Sequence, residues 1–381
     1  MTGPILSVVG ARPNYMKIAP VMRAFAACAQ LPKAMLLHTG QHYDEAMNDQ
    51  LFRGLRLPVP DVNLNVGSGS HAIQTAEVMR RFEPVIDELK PSCVLVVGDV
   101  NSTLACALVA SKRHVPVIHV EAGLRSYDRH MPEEINRVLT DQISDLLFTT
   151  ERSAHANLAR EGIAAERIHF VGNVMIDTLL ANLPHAIPAA DTLSRHHARS
   201  NFGTTAGGYA VVTLHRPSNV DQPSVLRGLL ETLEEVSKSV PLICPLHPRT
   251  QANIEKFGLA HFLSRASIAI LPPQGYLEML GLMSKARVVL TDSGGIQEET
   301  TALGVPCLTL RENTERPITA DEGTNTIVGT EPARILAAFG DVMKTGGKRG
   351  RIPEYWDGHA AQRIAQHMAA WLELAPDLAA A

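Results

Sequence analysis

The sequence predicts an α/β protein built from two doubly wound parallel-sheet domains with a cleft between them. Three observations carry this. Short apolar runs of strand length alternate with amphipathic helical patterns, the order that yields parallel sheets. The alternation runs from residue 5 to about 172 and restarts near 209. A chain of 381 residues is also long for one core and comfortable for two. We therefore divide it into residues 1–172, joined by a C-terminal helix at 358–381, and residues 173–357.

Bulk properties exclude several classes. With 45% hydrophobic and 19% charged residues the chain has ordinary globular composition. A formal net charge of −4 argues against a broad nucleic-acid surface, which would be strongly basic. The five cysteines are odd in number, widely spaced and without metal-ligand spacing, so they read as reduced, mostly buried small side chains. The N-terminus lacks a basic signal-peptide region, and no apolar run approaches the roughly 18 residues of a membrane span. A soluble cytoplasmic protein is expected.

In the first half, Ile5–Val9 is a strand followed by the loop Gly10-Ala11-Arg12-Pro13 and a helix. A strand, a turn and a helix start present free N–H groups and a helix dipole to an anion. Arg12 and Lys17 add charge there, unless they are merely solvated cations. Ala34–Thr39 is the second strand, with Gln41, His42 and Asp44 in the loop after it. The Gly/Ser-rich loop at 66–71 precedes a helix at about 72–89. Cys93–Val97 and Val115–Val120 are apolar strands that end in Gly98-Asp99 and Glu121, separated by a helix over 103–112. Pro132-Glu133-Glu134 opens the next helix, and Leu146–Thr149 is a further strand. Strand carboxyl ends line the ligand crevice of an open parallel sheet. Asp99 and Glu121 should therefore share one rim, with Glu133 joining from a helix start. Three converging carboxylates suit proton transfer if something keeps them from being simply solvated.

The second half repeats the pattern after residues 184–208, which look like a surface connection. Tyr209–Leu214 ends in His215, Val240–Pro245 ends at His247, and Ile268–Leu271 leads to Gln274 and Tyr276. Val288–Leu290 leads into Asp292-Ser293-Gly294-Gly295, with a helix from near Ile296. Two glycines allow close backbone approach, Ser293 adds a donor, and the helix start adds positive potential, as a diphosphate site requires. A tight turn needing glycine for its own geometry is the plainer alternative. Glu299 can accept hydrogen bonds from a ribose diol or simply face the helix dipole. His215 can bind phosphate or donate a proton. Arg311, after the strand Cys307–Leu310, suits a diphosphate. The sequence contains no P-loop, GxSxG elbow, HExxH or Cys/His ligand set. No GxGxxG follows the first strand, so a nicotinamide enzyme is not expected.

Taken in order, GARPNYMKIAP, TGQHYDEAM, GDVNSTLA, HVEAGLRSYDRHMPEEINR, VTLHRPSN, DSGGIQEE and ENTERP resemble the non-hydrolysing UDP-N-acetylglucosamine 2-epimerases over residues 5 to 330. The resemblance implies a GT-B fold of two Rossmann-like domains, usually as a homodimer. It implies interconversion of UDP-N-acetylglucosamine and UDP-N-acetylmannosamine, without nicotinamide or metal, by loss and re-addition of UDP through a 2-acetamidoglucal. Asp99, Glu121, Glu133 and His215 match the family's active site. Arg12 and Lys17 match its basic pair, and Ser293, Gly294, Gly295 and Glu299 its UDP segment. Gln41 and His42 lie in the segment where bacterial members bind activating UDP-N-acetylglucosamine. Alternatives are a hydrolysing epimerase, an epimerase of a diacetamido UDP-sugar, a GT-B glycosyltransferase and a sugar-nucleotide sensor.

Overall fold

A computed structural model of the chain describes residues 3–40, 55, 57–196 and 208–378. It divides into two compact units, residues 1–181 with 354–381, and residues 182–353.

The first unit holds seven parallel strands: β1 Ile5–Val9, β2 Ala34–His38, β3 Val62–Asn63, β4 Cys93–Val97, β5 Val117–Ala122, β6 Leu146–Thr149 and β7 Ile168–Phe170. Their order is β3-β2-β1-β4-β5-β6-β7. Winding therefore reverses between β1 and β4, the switch point where such sheets bind ligands. β1, β4 and β5 are buried at every position, which is why they read as continuous apolar runs rather than alternating ones. Val94 and Val96 pack with Val78, Phe82 and Ile86 of helix His71–Leu89.

Helix Val174–Asn182 runs with the first unit rather than opening the second. Asp177 accepts hydrogen bonds from the backbone N–H groups of Ala360 and Ala361 at 3.1 and 2.7 Å. It thereby caps the start of helix Ala360–Leu378. Burial raises the pKa of this carboxyl against those hydrogen bonds. Thr178 donates to the carbonyl of Met16 on helix Arg12–Ala27.

The second unit has β8 Ala210–Thr213, β9 Leu242–Pro245, β10 Ile268–Leu271, β11 Val288–Thr291, β12 Cys307–Thr309 and β13 Asn325–Ile327. The order β10-β9-β8-β11-β12-β13 repeats the same switch, here between β8 and β11. Alternate strand residues serve opposite faces. Val212 and Leu290 join Leu229, Leu233, Ile335 and Phe339, from helices Pro223–Val236 and Pro332–Thr345. Val211 and Val289 join Leu193, Leu282 and Met283.

Residues 184–196 differ from the expected surface connection. They form a turn of 3-10 helix and helix Ala189–Arg195, whose Leu193 is fully buried in the second core. Too few apolar residues occupy this short helix for a periodic pattern to show.

Candidate active site

In the first unit the polar groups gather at the ends of β1, β4 and β5. Asn14 ties two of these ends together. Its Oδ1 accepts from the N–H of Gly10 and Ala11 at 3.3 and 3.0 Å, and its Nδ2 donates to Val97 O at 2.9 Å. Lys17, one turn further along the same helix, reaches Glu121 to form an ion pair with both side chains almost wholly buried. Gly98 lies between them at φ +67°, and a Cβ there would stand 2.7 Å from Lys17 Nζ. Only glycine suits both that conformation and that proximity.

Glu121 is itself in the left-handed region at φ +73°. The β5–β6 register shifts at the same point, between Val120 and Ala122. Such a bulge re-aims a side chain, at a backbone cost of about 1–2 kcal/mol for a residue with a Cβ. β5 thus extends two residues beyond the expected Val120, and Glu121 sits inside the strand rather than after it.

Asp99 follows Gly98 and pairs with Arg137, while its backbone carbonyl accepts from Asn136 Nδ2 at 2.8 Å. Arg137 also donates to Glu134 at 2.7 Å. Glu134 accepts from the N–H groups of Ser126 and Tyr127 at 3.0 and 2.8 Å. Burial works against its charge, but the hydrogen bonds from Ser126, Arg137 and Tyr127 prevail and hold its pKa low. Glu133, in the first turn of helix Pro132–Ile143, is half-buried and pairs with no described residue. The two adjacent glutamates therefore differ: Glu134 is committed to the scaffold and Glu133 is open to a ligand. The Arg12 side chain, Gln41 and His42 lie outside what the structure describes.

In the second unit the wholly buried Asp292 organises the end of β8. It accepts from the N–H groups of His215 and Arg216 at 3.0 and 2.9 Å, and from Asn219 Nδ2 at 3.2 Å. His215 Nδ1 stands 2.8 Å from Asp292 Oδ1. Burial opposes ionisation of Asp292, but the contacts with His215 and the two N–H groups keep its pKa below the usual carboxylate range. With Nδ1 so held, His215 presents Nε2 outward.

Helix Gly294–Leu303 begins at Gly294, two residues before the expected start, so both glycines belong to its first turn. Ser293 is its N-cap, and the Ser293 hydroxyl bonds to no described residue. A Cβ at Gly294 would run into the carboxylate of Glu315. That carboxylate is ringed by cations: Arg311 at 2.8 Å, Arg216 at 3.3 Å and Arg316 close by. Although burial opposes its charge, the three guanidinium groups drive its pKa far below the ordinary range. Arg311 Nη1 and Arg216 Nε are buried, yet neither donates to a described residue. Buried donors without acceptors are costly, so an anion beside this helix start would satisfy them.

Glu299 is buried on the same helix, with the Tyr276 hydroxyl next to it but no well-formed hydrogen bond between them. Burial pushes Glu299 up to about 7; Tyr276 opposes that shift and Glu298 adds to it. Burial and Glu299 together raise the Tyr276 phenol. Gln274 is half-buried and donates to Pro272 O at 2.7 Å. Sequence reading missed Asn14, Glu134, Arg137, Asp292, Arg216 and Glu315, because each acts through a partner brought to it by the fold.

Paired Rossmann-like units, one with carboxylates at the switch point and the other with an anion cradle at a helix start, define a GT-B protein acting on a nucleotide-linked substrate. The UDP-N-acetylglucosamine 2-epimerase family model matches residues 27–369, and the chain belongs to that family. It is 43% identical to UDP-N-acetylglucosamine 2-epimerase of Methanococcus maripaludis, across 89% of this chain and 91% of that one. It is 41% identical to UDP-2,3-diacetamido-2,3-dideoxy-D-glucuronate 2-epimerase of Pseudomonas aeruginosa, across 96% and 99%. Its structure resembles that of the Methanocaldococcus jannaschii UDP-GlcNAc 2-epimerase in complex with UDP-GlcNAc and UDP. The TM-score is 0.86 at 41% identity, covering 96% and 99% of the two chains.

Proposed function

We propose that the protein interconverts UDP-N-acetylglucosamine and UDP-N-acetylmannosamine without hydrolysis. The observation that supports this most is the pair of buried, unsatisfied guanidinium donors on Arg311 and Arg216 at a glycine-rich helix start. The second unit then holds UDP. Arg311, Ser293, Gly294 and Gly295 take the diphosphate, and Glu299 takes the ribose, with Gln274 and Tyr276 nearby. His215 serves the departing phosphate.

The first unit handles the sugar. A carboxylate removes the C2 proton as the C1–O bond to the β-phosphate breaks. The C–H electron pair becomes the C1–C2 double bond of 2-acetamidoglucal, and UDP leaves with the C1–O pair. A second carboxylate delivers a proton to the opposite face of C2, and UDP adds back at C1. We assign the two C2 proton transfers to Asp99 and Glu133, with Glu121 orienting them and Lys17 and Arg12 supplying positive charge. A homodimer in the cytoplasm, activated by a second UDP-N-acetylglucosamine at Gln41 and His42, belongs to the same reading.

Proton NMR of UDP-N-acetylglucosamine with the protein in deuterium oxide tests it. The manno epimer should appear with deuterium at C2 and without free sugar. Accumulation of free N-acetylmannosamine would indicate hydrolysis instead. Asp99→Asn and Glu133→Gln should each abolish C2 exchange; near-normal exchange in both would overturn the assignment. The 41% identity to the Pseudomonas enzyme supports a second reading, epimerisation of a diacetamido uronic acid sugar. Supplying both sugar nucleotides in competition separates the two.

A further inference from the structure

His119 and Asp141 are fully buried and take no part in the chemistry just described. His119 lies on β5, two residues before Glu121, and Asp141 lies on helix Pro132–Ile143. One ring nitrogen, Nε2, stands 2.9 Å from the carbonyl of Gly98, and the other, Nδ1, stands 2.6 Å from Asp141 Oδ1. The second oxygen of Asp141 accepts from the N–H of Gly123 at 3.0 Å and lies 2.7 Å from Arg125 Nη2. Arg125 is in turn held by both oxygens of Glu161, at 2.8 and 2.6 Å.

One carboxylate therefore grips the chain on either side of Glu121, through the ring of residue 119 and the backbone of residue 123. Between those anchors lies the left-handed residue at the register shift. A non-glycine residue persists in that conformation only where its surroundings over-determine it. The same imidazole holds the carbonyl immediately before Asp99. Its two nitrogens face the Gly98 carbonyl and the Asp141 carboxylate, and Arg125 offsets the charge of that carboxylate.

We propose that His119 and Asp141 are positioning residues: a clamp that imposes the strained backbone at Glu121 and fixes Gly98-Asp99, setting both carboxylates from one point. This rests on the reading of Asp99 and Glu121 as groups that serve the sugar.

The test uses the full-length protein with three substitutions. Asp141→Asn leaves one acceptor oxygen where three donors converge. His119→Gln keeps a donor for Gly98 and loses Asp141, whereas His119→Asn does the reverse. Each should lower kcat by roughly 10- to 100-fold, the usual cost of losing an outer-shell orienting partner. KM for UDP-N-acetylglucosamine and the Kd of UDP should stay within about threefold, since the second unit holds the nucleotide. Loss of kcat in both histidine variants with unchanged UDP binding supports the clamp. Unchanged kcat in variants that only lose thermal stability would overturn it.

Should the histidine variants fail to fold, Asp141→Asn alone decides by the same criterion. A crystal structure of that variant gives a readout independent of activity. Glu121 should leave the left-handed region and release Lys17; a φ still near its present value would overturn the clamp. Failure of the wild type to epimerise would count against the proposed function and leave the crystallographic outcome standing.

Discussion

Asp292 and His215 face each other at 2.8 Å, the carboxylate wholly buried and the imidazole 38% exposed. If His215 serves the departing phosphate as proposed, this acid decides which of its nitrogens does so. Asp292→Asn has one acceptor oxygen for donors on His215, Arg216 and Asn219, so the tautomer and the loop are both released. General acid–base groups contribute 10²–10⁴-fold. We expect kcat to fall by roughly 10²-fold, measured by coupled assay or NMR. A loss below about threefold would mean that His215 does not assist the departure of UDP.

Lys17 and Glu121 form a nearly solvent-free ion pair. Removing one partner of such a pair strands a buried charge, at a cost of about 3–5 kcal/mol. Lys17→Met should show that loss in chemical denaturation. The double variant Lys17→Met/Glu121→Gln should recover much of it, because the stranded charge is gone. Equal stability of the two variants would mean the pair is not coupled.

Glu299 is raised from 4.5 to about 7. The folded state therefore favours its protonated form. Its contribution is fully present below pH about 4.5 and is lost as pH rises through about 7, roughly 3 kcal/mol in all. Denaturation of wild type and Glu299→Gln at pH 5 and 8 isolates it, since only the wild type carries this slope. UDP affinity should strengthen over the same rise, with proton release in calorimetry, if the ionised carboxylate takes the ribose diol. An affinity that does not change with pH would argue against that contact.

The rings of His169 and His367 lie 4.5 Å apart in the first unit. Burial lowers the pKa of both, and for His169 the neighbouring His367 adds to it. Depressed values mean that this stability is present above the unfolded value near 6.5 and is lost as pH falls. His367→Gln should reduce the acid-side drop in Tm between pH 7 and 5. An unaltered drop would place the acid sensitivity elsewhere.

Much of the fold was readable because strands buried on both faces write themselves as apolar runs. The polar residue or glycine that follows each run marks the rim, which is why Asp99, Glu121, His215 and Ser293 stand out. In the sequence Glu121 reads as the residue after the strand, because a left-handed conformation at a glutamate leaves no trace there. Of two adjacent glutamates, only coordinates tell that Glu134 is locked to Arg137 and that Glu133 is not. Asp141, Asp292 and Glu315 sit in helix or loop patterns where a lone acid looks like a solvated one. Their partners are His119, His215 and Arg216, and no local pattern announces a contact across such a gap.

The capping of helix Ala360–Leu378 by Asp177 also has a consequence for biosynthesis. The first unit is built from residues on both sides of the second, which is spelled out whole between them. As the polypeptide emerges, residues 182–353 are complete before their predecessor is. The unit that starts first is completed after the second, and the surface of helix Arg12–Ala27 that receives helix Ala360–Leu378 stays uncovered until those later residues have been made. A ribosome-stalled chain ending near residue 353 should therefore contain a folded second unit and an open first one, a ready client for chaperones.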